Sequence, residues 1–126
     1  MPSEDELRAT LIRYTELFTA GDGDGWVGLF TADATVEDPV GSPKHEGAAA
    51  IRAFFDASMG MADTITLTIK EGPVVCGNEG SFAMEVKSVM GATTIVLTAI
   101  DVMTFDEAGR ITSQRAFWSP SGIRTV

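Results

Sequence analysis

A chain of 126 residues with 44% hydrophobic and 21% charged side chains has the length and balance of one soluble globular domain, which excludes disorder and fibrous architecture. Nine Lys and Arg against eighteen Asp and Glu leave a formal net charge of −9. Phosphate backbones and anionic membrane surfaces repel such a surface, so neither nucleic acid nor membrane is an expected partner.

Cys76 stands alone, so it forms no intramolecular disulfide and no cysteine zinc cluster, and its expected role is that of a small buried apolar side chain. The opening residues Met1 to Glu6 have neither the basic region nor the apolar run of a signal peptide, and no apolar run approaches the roughly 20 residues that span a bilayer. The expectation is a single cytoplasmic domain covering residues 1–126.

In chain order, Ser3 followed by Glu6 is a capping-box signature, and Leu7, Leu11, Tyr14 and Phe18 recur at the spacing of one buried helical face that ends near Ala20. The glycine-rich turn Gly21 to Gly25 leads into a short second helix carrying Trp26, Val27, Leu29 and Phe30, after which Ala34 to Val40 reads as extended. A loop bracketed by Pro39 and Pro43 precedes a third helix, from about Gly47 to Met59, whose apolar face is Ile51, Phe54, Phe55 and Met59. From Thr64 to Lys70 the pattern alternates with period two, a strand that Gly72-Pro73 is expected to close. Three more strands follow, around 81–90, 93–105 and 110–118, separated by turns at Gly77 to Gly80, Gly91-Ala92 and Asp106 to Gly109. Helices first and an antiparallel meander second predict an α+β fold: helices laid across one face of a curved sheet, enclosing a cone whose mouth is the natural ligand pocket.

Function is sought where a polar residue occupies a position the pattern reserves for an apolar one. On the long strand, Asp101 shares a face with Ile95, Leu97, Ala99, Met103 and Phe105. A carboxyl buried there without a partner is held protonated and becomes a hydrogen-bond donor; a bulge that turned the strand would instead leave it in water. Tyr14 lies in the apolar stripe of the first helix, either as a core aromatic with a wet tip or as a donor. Asp38 has the parity of Ala34, Val36 and Val40, whereas Glu37 points to the opposite face, so the two adjacent acids are not a dyad. A carboxylate so placed suits a general base, and an Asp before Pro also suits a turn. His45 reads as a solvated loop residue. No H-E-x-x-H, Walker A or G-x-G-x-x-G spacing occurs, which leaves metal, nucleotide and dinucleotide readings without a site.

The run Asp33 to Ser42, with Glu37-Asp38-Pro39-Val40-Gly41 at its centre, resembles the corresponding run of the ketosteroid isomerases, of the NTF2-like or SnoaL-like superfamily. The segments Ala99 to Phe105 and Ala108 to Ile111 are similar to the strand that carries the family's buried acid, and the similarity extends from Arg13-Tyr14 to Ala116-Phe117-Trp118. The resemblance implies a cone-shaped fold, a homodimer and a cofactor-free, metal-free enzyme that converts 3-oxo-Δ5-steroids into their Δ4 isomers. It implies Asp38 as the base moving a proton from C4 to C6, and Tyr14 and protonated Asp101 as donors to the dienolate oxygen, a neutral-acid arrangement known for this family. It further implies a steroid pocket lined by Phe54, Phe82, Met84, Met103 and Trp118, positions that ordinary core packing would also fill. Some family members extend the donor network with further tyrosines; the matching positions here are Phe30 and Phe55, so Tyr14 has no phenolic partner. Other readings of the same cone are a non-catalytic carrier of small apolar ligands and a cyclase, dehydratase or epoxide hydrolase.

Overall fold

A computed structural model describes residues Met1 to Val126. Helix α1 (Glu4–Ala20) opens on the expected capping box: Ser3 Oγ accepts from the Glu6 amide at 3.1 Å, and Glu6 Oε1 accepts from the Ser3 amide at 3.3 Å. Its buried stripe includes Leu7, Leu11, Tyr14 and Phe18, and Gly21 ends it with φ 72, a left-handed conformation open to glycine at no steric cost. Helix α2 is short (Gly23–Val27) and α3 spans Ala48–Gly60, with Ile51 and Phe55 buried.

The strands are β1 (Phe30–Glu37), β2 (His45–Glu46), β3 (Thr64–Cys76), β4 (Glu79–Met90), β5 (Thr93–Phe105), β6 (Ile111–Phe117) and β7 (Arg124–Thr125). They form one sheet of order β2-β1-β6-β5-β4-β3, with β7 paired to β5. The expected α+β architecture is present, helices packed on a curved and mostly antiparallel sheet. The expected antiparallel meander is present as β3-β4-β5-β6, and β1, outside it, runs parallel to β6, so the sheet as a whole is mixed. No helix is long and apolar enough to cross a membrane.

Other boundaries differ from the sequence reading for identifiable reasons. Phe30 belongs to β1 rather than to the second helix, and β1 ends at Glu37, so Asp38 sits just past the strand and not within it. Gly72-Pro73 does not close β3. The strand continues to Cys76 through irregular register between Ile69 and Val74, with Gly72 at φ 88, so the glycine-proline pair bends the strand instead of stopping it. The hairpin into β4 is correspondingly tighter, a two-residue Gly77-Asn78 turn. Cys76 is exposed, contrary to the expectation of burial, because its neighbour Val75 takes the inward parity. His45 lies in the unforeseen strand β2, half-buried with its ring 4.9 Å from that of Phe54.

One apolar core joins α1, α2, α3 and the concave face of the sheet. Trp26, fully buried, is its centre, with ring centroids of Tyr14, Phe18, Phe30 and Phe55 at 4.8–5.4 Å.

The bend in β3 gives a stability test. A Cβ on Gly72 would lie 3.0 Å from the Val74 amide nitrogen and 3.1 Å from the Ser81 carbonyl, and φ is already left-handed. Gly72→Ala is expected to cost about 1–3 kcal/mol in urea unfolding, while Gly60→Ala, where nothing crowds the added methyl, is expected to be neutral or slightly stabilising.

Candidate active site

The register of the sheet brings the polar residues together. On β5, Ala99, Asp101, Met103 and Phe105 are all buried on the concave face, as the alternation predicts, and Asp101 is 0% exposed. Across the sheet Asp101 faces Phe82 of β4 on one side and Ala116 of β6 on the other, both nearly fully buried. Two residues back along β6 is Gln114, opposite Met103 of β5 and Val36 of β1, which makes it the diagonal neighbour of Asp101. The chain beyond β1 stays beside β6, held by Val40 N–H donating to Ala116 O at 2.8 Å, and carries Asp38 to the other diagonal. Tyr14 reaches the same point from α1.

One side-chain amide links the three groups. Gln114 Nε2 lies 3.1 Å from Tyr14 Oη, 3.3 Å from Asp101 Oδ2 and 3.5 Å from Asp38 Oδ2. Trp118 Nε1 donates to Asp38 Oδ1 at 2.6 Å. Two buried acceptors, Gln114 Oε1 and Asp101 Oδ1, have no partner within the protein. An unmade hydrogen bond at such depth costs about 1–3 kcal/mol, so each of these atoms is available to a group that enters the site.

Sequence reasoning missed Gln114. Its signal was its parity with Ala116 on β6 and Trp118 just after it, the same polar-in-an-apolar-row pattern that singled out Asp101. Glu37 behaves as expected, turning away from Asp38 to pair with Arg115 at 2.9 Å.

Tyr14 and Asp38 form one end of a cavity of about 320 Å³ whose lining is 15 hydrophobic residues out of 18. From there the cavity follows β4 and β5 toward Met90 and Ile95, with Leu67 of β3 and Met61, just after α3, closing its sides. Of the five pocket residues that the resemblance implied, Phe54, Met84 and Trp118 line the cavity. Phe82 and Met103 do not. They are 2% and 0% exposed and pack behind the lining, Phe82 against the Tyr14 ring with centroids 6.2 Å apart. Asp101 also lies just beneath the lining, behind Tyr14. Phe30 and Phe55 are buried aromatics without hydroxyls, so Tyr14 Oη finds the Gln114 amide in place of another phenol. No group of three or more His, Cys, Asp and Glu side chains converges as a metal site.

The two carboxyls differ in environment. Desolvation, with the Asp38 charge adding to it, pushes Asp101 from 3.8 up to about 8, against the opposing hydrogen bonds from Gln114 and Tyr14. Asp38 is also raised by desolvation, but the Trp118 and Gln114 donors and the nearby His45 favour its charged form. Burial and the two carboxyls raise Tyr14 well above its ordinary value, so the phenol keeps its proton. Of the two carboxyls Asp38, at the cavity wall, therefore gives up its proton first, while the phenol and the Asp101 carboxylic acid keep theirs and can both donate. That set can abstract a proton from an apolar substrate and stabilise the oxyanion that results.

A helical layer on a curved mixed sheet with a polar floor under an apolar cavity defines an α+β cone. The family model that matches residues 11–114 is the SnoaL-like domain. The chain is 39% identical, over 119 residues and 94% of both sequences, to a steroid Delta-isomerase of Nocardioides simplex. Its structure is similar along the whole of both chains, with a TM-score of 0.84 and 30% identity, to SalBIII, an epoxide hydrolase/cyclase-like enzyme of pyran ring formation in the polyether salinomycin. The chain belongs to the SnoaL-like family.

The raised state of Asp101 makes stability depend on pH in a definite direction. An unfolded Asp101 has lost its proton above about pH 4, whereas the folded one keeps it to about 8. Between those values the folded state binds more protons, so stability is highest below the window and falls as pH rises through it. Urea unfolding of the wild type between pH 5 and pH 8 is expected to show that decline, and Asp101→Asn, which has no proton to lose, is expected to flatten it.

Proposed function

We propose that the protein is a cofactor-independent steroid Δ-isomerase that converts 3-oxo-Δ5-steroids to 3-oxo-Δ4-steroids. The observation that carries this reading is the convergence of Asp38 and Tyr14 at the end of an apolar cavity, with Asp101, whose proton is held more firmly than that of Asp38, directly beneath them. The 39% identity to a steroid Delta-isomerase points the same way.

In this mechanism Asp38 takes the C4 proton. The electrons of the broken C–H bond move onto the carbonyl oxygen, giving a dienolate. Tyr14 and Asp101 donate to that oxygen in a dry site, where each pre-positioned donor is worth about 2.7–4 kcal/mol. Asp38 then returns the proton at C6, the double bond comes to rest between C4 and C5, and no atom is gained or lost. Asp101 Oδ1 has no protein partner, which leaves its proton available to the substrate oxygen. Phe54, Met84 and Trp118 hold the flat apolar rings, while Phe82 and Met103 back the floor from behind.

The cone alone does not choose this chemistry, since SalBIII shares it and serves a different reaction. A carrier would have no use for a base facing two neutral acids. The discriminating experiment is ultraviolet absorbance with 5-androstene-3,17-dione: the conjugated product absorbs, and no gain over the uncatalysed rate would overturn the reading.

We further propose one catalytic domain over residues 1–126, working as a homodimer in a reducing cytoplasm. Support for a second copy comes from the convex sheet face, where Ile100 and Phe117 are paired neighbours and, with Val74, stay exposed. A monomeric mass by light scattering at micromolar concentration would remove the dimer. The exposed thiol of Cys76, with no other cysteine to pair with, suits a reducing compartment.

Substitutions are expected to separate the roles. Asp38→Asn is expected to lower turnover by at least about a thousandfold with steroid affinity nearly unchanged, because shape is kept and the base is lost. Glu37→Gln, on the opposite face, is expected to be mild. Asp101→Asn keeps a donor and is expected to retain far more activity than Asp101→Leu, which is expected to lose about a hundredfold. Steady-state kinetics of the four variants checks the order.

A further inference from the structure

The amide of Gln114 touches every polar group of the floor, yet the mechanism above does not use it. We propose that Gln114 is a positioning residue for the isomerisation: its Nε2 ties the proton acceptor Asp38 to the oxyanion donors Tyr14 and Asp101, holding base and donors as one hydrogen-bonded unit. The inference rests on the isomerase reading and adds a residue to it.

Geometry carries the argument. Gln114 is fully buried at the diagonal of both Asp101 and Asp38, and its nitrogen stands 3.1, 3.3 and 3.5 Å from the three oxygens. An amide nitrogen has two protons to offer and here faces three acceptors, so its donation goes preferentially to whichever oxygen carries charge. In the resting site that is Asp38. Once Asp38 has taken the C4 proton, the charge lies on the substrate oxygen at the other side of the amide. Donation to Tyr14 Oη then polarises the phenol and strengthens its own hydrogen bond to the dienolate.

Only the nitrogen end of the amide can play this part. Turned over, it would set Oε1 against the ionised Asp38, an acceptor against an acceptor. Oε1 instead points away, with no partner in the protein.

Other groups also face Asp38: the Trp118 indole from the segment after β6, Asp101 from β5, Tyr14 from α1 and His45 from β2. All remain when Gln114 is replaced, so a changed titration reports the amide. The test is the pH dependence of kcat/KM for 5-androstene-3,17-dione in the wild type, Gln114→Met and Gln114→Glu, together with a direct carboxyl NMR titration of Asp38 in the free proteins. Met keeps the length and removes the donor. Expected for Gln114→Met is a loss of about tenfold in kcat/KM, with both limbs of the pH profile moved upward by roughly one to two units, the worth of one hydrogen bond to a charged form. In Gln114→Glu a third carboxyl adds like charge, and the Asp38 titration is expected to move further up than in Gln114→Met.

A fall in rate with both limbs unmoved would make Gln114 a packing residue and overturn the proposal. A downward shift would mean that the oxygen end faces the carboxyls, and would overturn it as well, as would loss of folding in both variants. The NMR titration needs no substrate. If the wild type fails to isomerise the steroid while Asp38 still responds to Gln114, the isomerase reading falls and the linkage of the floor stands.

Discussion

Asp101 is a carboxyl group in the middle of a strand, on the concave face, with Phe82 and Ala116 beside it and no cation near it. Ionising it there would strip a charge of its water and place it close to a second carboxylate, and both effects favour the proton. The fold is therefore built around a neutral acid, and the surrounding chemistry depends on that. A charged Asp101 would compete with Asp38 for Gln114, would turn from donor to acceptor at the cavity floor, and would make a poor neighbour for an oxyanion.

The contrast with Asp38 follows from where each residue sits on its strand. Asp101 has four residues of β5 after it and eight before it, so it cannot move toward water. Asp38 follows the last residue of β1 and is half-buried at the cavity wall, where the Trp118 indole and the more distant His45 support its charge. Two identical side chains thus differ in how firmly each holds its proton, by depth and by the donors that face them. The same burial raises Tyr14, which keeps the phenol neutral beside two carboxyls.

Periodicity made part of this legible. The stripe Leu7, Leu11, Tyr14 and Phe18 and the row Ala99, Asp101, Met103 and Phe105 are local patterns that tertiary structure had only to confirm. What stayed hidden depends on long-range pairing. The parallel match of β1 with β6 joins segments some 78 residues apart in sequence, Val36 with Gln114 and Glu37 with Arg115, and no local signal announces it. Gln114 shares its parity with Ala116 and Trp118, a local hint of burial, but only that pairing shows which groups its amide meets. Gly72-Pro73 looked like a stop because local chemistry does not distinguish a strand end from a bend that a neighbouring strand bridges. Depth was equally out of reach: Phe82 and Met84 share a parity on β4, yet Met84 meets the cavity and Phe82 lies behind Tyr14.

The aromatic residues on the helical side set a limit on how the floor handles charge. Phe30 and Phe55 pack edge or tilted against Tyr14, Trp26 and Phe18 and bring no hydroxyl, so neither can donate to the Tyr14 oxygen. The polar connection comes from the sheet instead, through one amide whose nitrogen also reaches Asp38. A chain of phenols would spread a developing negative charge away from the base. A bridge through Gln114 instead gathers Tyr14, Asp101 and Asp38 around a single nitrogen, so that charge on any one of them is felt by the same two protons.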